Sequence, residues 1–295
     1  MTGDPGEGRT SDAPDLPPRR SVPARYRFLV FVLATAAGIL GFRAALSPFG
    51  GTIDTMLGAR IPAFYLMMTG GLLVGHWWTL RTMEPRGWAV VRLGRGQFGW
   101  RQVFAGLALG GFAVGGPSAI LLLAGWLRIE PSPPGDWWHA ALATLAVLVP
   151  AALWEELLTR GYAFSLIRDA LGARRAIVVT SVVFGLLHIE NAGATWQSIA
   201  LVMLAGIFLG SILVALDSLY AAWAAHVAWN FVMAGVLHAT VSGVGMGSPN
   251  YRTVDAGPDW ATGGAWGPEA GLLTGGGLLL GIYIMLRRRR RGVDS

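Results

Sequence analysis

The feature that most constrains this chain is a series of long apolar segments separated by connections that carry arginine. Each segment has roughly 20 residues, the length that a helix needs to cross about 30 Å of hydrocarbon at 1.5 Å per residue. Of the 295 residues, 53% are hydrophobic and 14% are charged, whereas an ordinary soluble domain has about 25% charged residues. We therefore predict an all-α fold, a polytopic transmembrane helix bundle that resides in a lipid bilayer.

The apolar segments predict about eight spanning helices. We place them at 28–46, 62–80, 103–127, 138–160, 175–190, 196–216, 220–240 and 269–286. The chain then divides into a disordered cytoplasmic tail (1–25), three N-terminal helices (26–127), a second group of helices (138–286) and an Arg-rich cytoplasmic tail (287–295). The connection 241–268 is long and dense in Gly, Pro and Trp, so we expect it to fold over the non-cytoplasmic mouth of the bundle.

The basic residues are all arginines and predict the orientation of the chain. They concentrate before the first helix, after the last one and in alternate connections, and cytoplasmic connections are the ones that hold such an excess. Both termini are therefore predicted to be cytoplasmic, in a multi-pass protein of the plasma membrane. Because the arginines lie at the edges of apolar runs, the net charge of +6 does not indicate nucleic acid as a partner.

Composition also limits the chemistry. The chain has no cysteine, which excludes disulfides, thiolate catalysis and cysteine-based zinc sites. An Arg-only, Gly- and Ala-rich composition is typical of a bacterium with a GC-rich genome.

One predicted helix carries three ionisable residues at depth, Glu155, Glu156 and Arg160. Each such residue costs about 2.5–3.5 kcal/mol at the centre of a spanning helix, so each requires a partner or a function. Glu156 and Arg160 are four residues apart and can neutralise each other, which leaves open a purely structural ion pair. Glu155 points about 100° away and has no local partner, so it is the candidate general base.

Two further helices carry histidines in apolar surroundings. His188 follows the apolar sequence Phe184–Leu187, and His226 and Asn230 share one helix face at positions i and i+4. A buried histidine is often only a hydrogen-bonded core residue, but here a carboxylate accompanies the set. Asn and His supply the donors that hold a developing oxyanion, so the residues together predict a general base and an oxyanion hole.

These motifs resemble the CPBP family of intramembrane proteases, which includes the type II CAAX prenyl endopeptidases and bacterial relatives linked to bacteriocin processing and immunity. The resemblance rests on Glu-Glu-x-x-x-Arg at 155–160, Phe-x-x-x-His at 184–188 and His-x-x-x-Asn at 226–230. It covers roughly 138–286, and the first three helices carry no motif that matches.

The resemblance implies an endopeptidase that acts on an unidentified peptide or protein. Glu155 would activate water with the assistance of His188, and His226 and Asn230 would stabilise the oxyanion. Glu156 and Arg160 would support the site or bind a substrate carboxylate. Glu155, His188 and His226 could alternatively hold a zinc ion, although the absence of a His-Glu-x-x-His sequence favours the metal-free mechanism.

Two other functions use the same residues. Buried Glu, Arg and His residues could form the proton relay of a transporter, but such a relay predicts carboxylates on several helices, whereas only 138–160 carries them in the sequence. A catalytically silent immunity or scaffold protein could also keep the fold for binding.

The depth of the site residues in the membrane is a further difficulty for the peptidase. If the helix ends near Gly161, Glu155 and His226 lie roughly 10 Å from the cytoplasmic surface and His188 lies about 20 Å from it.

Overall fold

The structure, a computed structural model, describes residues 22–49, 51–52, 62–247 and 249–293, with the backbone alone at 62 and 288–293. The helices are α1 Ala24–Leu46, α2 Pro62–Met83, α3 Trp100–Leu123, α4 Trp137–Arg160, α5 Tyr162–Leu171, α6 Ala173–Leu186, α7 Trp196–Leu216, α8 Leu219–Phe231, α9 Asp259–Thr262 and α10 Leu272–Val293. The final turns after α8 form a π-helix, Val232–Leu237. The prediction of an all-α membrane helix bundle is confirmed.

Five helical segments in the described part of the chain are long and apolar enough to cross a membrane. They are Ala24–Leu46, Trp100–Leu123, Trp137–Leu171, Trp196–Leu216 and Leu219–Leu237. The other three predicted spans also form helices but differ in length or polarity. Helix α2 carries polar residues such as His76, α6 has only 14 residues, and the apolar part of α10 starts at Leu272 rather than at 269. Most of the disordered tail predicted over 1–25 lies outside the described residues, and α1 already begins at Ala24.

A small sheet departs from the purely helical expectation. Strand β1, Leu127–Pro131, pairs antiparallel with β2, Tyr251–Asp255, so that Leu127 faces Asp255 and Pro131 faces Tyr251. The sheet ties the long connection between α8 and α10 to the connection between α3 and α4. We call residues 238–247 and 249–271 the lid, because several of them line the cavity described below.

Helix α8 packs against α3 at very short range. A Cβ atom on Gly106 would lie 2.2 Å from the carbonyl oxygen of Ala221, and one on Gly110 would lie 1.9 Å from that of Ala225. These residues form a small-xxx-small pair on each helix, the pattern that lets spanning helices approach through their backbones. Because His226 follows Ala225 directly, this contact sets the position of a candidate site residue.

The break between α4 and α5 occurs at Gly161. A Cβ atom there would lie 2.2 Å from the carbonyl oxygen of Leu157 and 2.3 Å from Nε2 of His76. The buried His76 ring accepts a hydrogen bond from the backbone N–H of Tyr162 at 3.1 Å, which satisfies a donor at the start of α5. Helix α2 therefore holds the redirected chain in place.

Candidate active site

The four predicted catalytic residues line one cavity inside the bundle. Glu155 comes from α4, His188 from the turn after α6, and His226 and Asn230 from α8. The cavity is otherwise mainly apolar, and Tyr65 of α2 and residues of the lid complete its wall. Helix α2, which carries no recognisable motif, thus also contributes to the site.

Glu156 and Arg160 form a buried pair behind the cavity. Arg160 Nη1 donates to Glu156 Oε1 at 2.8 Å, and both side chains are fully shielded from solvent. Arg160 also donates to Thr159 Oγ1 at 2.9 Å and to the carbonyl oxygen of Gly206 at 3.1 Å, and its guanidinium lies 4.5 Å from the centre of the Phe184 ring. Arg160 does not line the cavity, and its Nε is buried without a hydrogen-bond partner among the described residues.

His226 lies between the two adjacent carboxylates of α4. Its Nδ1 is 3.0 Å from Glu156 Oε1, and its Nε2 is 3.6 Å from Glu155 Oε2. A carboxylate oxygen accepts, so Nδ1–H donates to Glu156 and Nε2 is directed to the cavity side. The separation of 3.6 Å is too long for a hydrogen bond. Glu156 therefore orients the histidine beside Glu155, a contact that the sequence spacing did not predict.

His188 lies in a turn rather than in the predicted helix 175–190, because α6 ends at Leu186. Its Nδ1 is 2.8 Å from the carbonyl oxygen of Phe184. A carbonyl can only accept, so Nδ1 carries the hydrogen, and in the neutral ring Nε2 is an acceptor. The Phe184 ring contacts both histidines, with its centre 4.9 Å from that of His188 and 5.9 Å from that of His226.

Asn230 is half-buried on the same face of α8 as His226. Within the described residues, its side-chain amide makes no hydrogen bond to protein. Two N–H donors are consequently available to a molecule in the cavity.

The expected mismatch in depth between the motifs does not prevent them from meeting. Helix α5 adds ten helical residues after Gly161 before α6 begins, where the sequence predicted only a connection. At the start of α8, the N–H of Leu219 donates to the carbonyl oxygen of Arg92 at 3.1 Å. Val90, Val91 and Leu219 are buried, so the start of α8 packs against the connection between α2 and α3.

The predicted zinc ligands do not form a metal site. Among the residues that the structure describes, no three His, Cys, Asp or Glu side chains are grouped so that they could hold one ion. Glu155 Oε2 lies 3.6 Å from His226 Nε2, whereas Nδ1 of His188 is bound to the carbonyl oxygen of Phe184. The donor set does not fit a zinc ion with three protein ligands.

The lid contributes a carboxylate that the sequence did not single out. Glu269 lines the cavity and is 8% exposed, although it comes from a short 3₁₀ turn before α10 and not from the predicted helix 269–286. Among the described residues, the carboxylates that line the cavity are thus not confined to α4. The Trp- and Gly-rich sequence around Glu269 was the available signal for it.

The central part of the chain is similar to a known protein family. Residues 137–232 match the family model described as type II CAAX prenyl endopeptidase Rce1-like. The match covers about a third of the chain and includes all six of the predicted site residues. No curated protein and no solved structure matches the chain significantly.

Proposed function

We propose that this chain, whose residues 137–232 match the Rce1-like family model, is a CPBP family intramembrane protease that hydrolyses a peptide bond within its bundle by a metal-free mechanism. The observation that carries the proposal is the position of His226, held by Glu156 on one side and facing Glu155 on the other. A carboxylate beside an oriented imidazole, in a mainly apolar cavity, is suited to activating water.

In the proposed reaction, Glu155 removes a proton from a water molecule as the water attacks the scissile carbonyl carbon. His188 accepts the second hydrogen bond of that water through Nε2, since its Nδ1–H is already bound to the carbonyl oxygen of Phe184. Asn230 donates to the developing oxyanion. When His226 is doubly protonated, the two carboxylates balance its positive charge and Nε2–H can also donate to the oxyanion.

Completion of the reaction requires a proton for the leaving amine. Glu155 holds the proton taken from water and can transfer it to the amine nitrogen as the carbon–nitrogen bond breaks. The immediate products are a new carboxylic acid and a new amine, which become a carboxylate and an ammonium group by exchange of one proton, and the side chains return to their starting protonation states. Glu156 and Arg160 act through His226 and are positioning residues in this scheme.

We further propose that the substrate is a peptide or membrane protein segment and that both chain termini lie in the cytoplasm of a bacterial cell, in the plasma membrane. The chain is a multi-pass membrane protein with several apolar helices, and the arginine distribution supports this orientation.

The proposal is tested by incubating the reconstituted protein with a library of apolar peptides and identifying the products by mass spectrometry. We expect pairs of fragments whose masses sum to that of one peptide plus one water. A preparation that yields no such pairs, while remaining folded and monodisperse, would contradict the proposed activity.

A further inference from the structure

A buried carboxylate of the lid faces the cavity in which hydrolysis is proposed. Glu269 Oε1 accepts from the backbone N–H of Ser242 at 2.6 Å, from Ser242 Oγ at 2.7 Å and from Trp266 Nε1 at 3.0 Å. Its Oε2 accepts from Trp229 Nε1 at 2.9 Å. The side chain thus joins two segments of the lid to α8, directly beside Asn230.

The groups around Glu269 leave its charge uncompensated. Three of its four donors are N–H groups, which cannot accept a hydrogen bond, and such a set suits an ionised carboxylate. Among the described residues, no arginine or histidine lies within ion-pair distance of Glu269. A negative charge that is held only by neutral donors in a mainly apolar cavity attracts a positive charge strongly.

No arginine among the described residues of the cavity wall supplies that positive charge. The described residues that line the cavity include a second carboxylate, Glu155, and two histidines, but no arginine. Arg160 does not line the cavity, and its Nη1 and Nη2 donate to Glu156, Thr159 and the carbonyl oxygen of Gly206. A substrate that enters this cavity therefore meets carboxylates at two points of the wall.

We propose that Glu269 is a specificity-determining residue that selects peptide segments carrying a lysine or arginine side chain. The inference deepens the proposed peptidase function and rests on it. A substrate ammonium or guanidinium group that reaches the lid would form a charge-assisted contact with Glu269. An acidic side chain or a free C-terminal carboxylate in the same place would be repelled by Glu269 and Glu155.

Binding is measured apart from cleavage, so that the two proposals fail separately. The probes are fluorescently labelled 12-residue peptides of Ala and Leu in which one central position is Arg, norleucine or Glu. Their affinities for the reconstituted Glu155→Gln protein, which cannot turn them over under the proposed mechanism, are obtained from fluorescence anisotropy. We expect the Arg peptide to bind about tenfold or more tightly than the norleucine peptide, the size of one hydrogen bond to a charged group, and the Glu peptide to bind most weakly.

The second measurement adds Glu269→Gln to the same protein, with Glu190→Gln as the matched control at an exposed position outside the cavity wall. We expect the preference for the Arg peptide to disappear with Glu269→Gln, while the norleucine peptide keeps its affinity. The control should keep the full preference.

Two results overturn the inference. Equal affinities of the Arg and norleucine peptides for the Glu155→Gln protein do so without any further variant. A uniform loss of affinity for all three peptides on Glu269→Gln also overturns it, because such a loss would mean that Glu269 only stabilises the lid. A preference for Arg without cleavage of any peptide by the wild-type protein would instead contradict the proposed function and leave Glu269 as part of a cation-selective binding site.

Discussion

The close contact between α3 and α8 gives a prediction that links a packing residue to catalysis. A Cβ atom on Gly110 would lie 1.9 Å from the carbonyl oxygen of Ala225, whereas actual Cβ contacts under 3.0 Å essentially never occur. Gly110→Ala must therefore move the two helices apart by about 1 Å. The movement falls on the backbone beside His226, and the Ala225 carbonyl offers no flexible side-chain atoms that could yield instead.

The expected magnitudes follow from this displacement. Replacing a helical glycine by alanine favours the helix by about 1 kcal/mol, while overpacking costs about 1–3 kcal/mol, so the net loss of stability is at most about 2 kcal/mol. The effect on rate is larger, since a misplacement of about 1 Å of a catalytic group can cost about a hundredfold. Gly110→Ala should therefore remain folded and lose most of its activity.

The matched control is Gly116→Ala on the same helix, where the added Cβ meets nothing within 4 Å. Initial rates of peptide cleavage and thermal unfolding in detergent are compared for the two variants and the wild type. We expect Gly116→Ala to match the wild type in rate. Equal rates for Gly110→Ala and Gly116→Ala would refute the claim that this helix contact positions His226.

Three further outcomes follow from the site. Asn230→Ala should lower kcat by about 10²–10³ with little change in KM, as expected for loss of an oxyanion donor, and a change confined to KM would contradict this role. Glu156→Gln leaves Arg160 buried without its counter-charge, so the free energy of unfolding should fall by about 3–5 kcal/mol and cleavage should be lost. Unchanged stability in thermal or denaturant unfolding would contradict the proposed pairing. Cleavage should persist after dialysis against a chelator, and a loss that zinc restores would contradict the metal-free mechanism.

The overall architecture could be predicted from the sequence because lipid imposes it. Runs of about 20 apolar residues can satisfy their backbone groups in a bilayer only as helices, and the observed α1, α3, α4, α7 and α8 follow these runs. The shorter helices do not correspond to such runs, so their ends could not be predicted in this way. Helix α6 has 14 residues, and the apolar turn that continues beyond it gave no indication that the helix stops before His188.

The candidate residues could be selected from the sequence because ionisable groups are costly in a membrane, but their contacts could not. Helical spacing indicated the Glu156–Arg160 pair, which forms. The contact of Glu156 with His226 joins residues 70 positions apart, and no local pattern encodes it. The contact of Gly106 and Gly110 with α8 did have a signal, since the two glycines stand at small-xxx-small spacing.

The most direct test of the central claim is the rate of peptide cleavage by Glu155→Gln relative to the wild type, with Glu190→Gln as a control in which the same chemical change is made at an exposed residue. Loss of a general base costs about 10²–10⁴ in rate. We expect the cleavage rate of Glu155→Gln to be lower than that of the wild type by about 10²–10⁴, with an unchanged melting temperature. Glu190→Gln should cleave at the wild-type rate. A folded Glu155→Gln protein that cleaves as fast as the wild type would contradict the assignment of Glu155 as the residue that activates water.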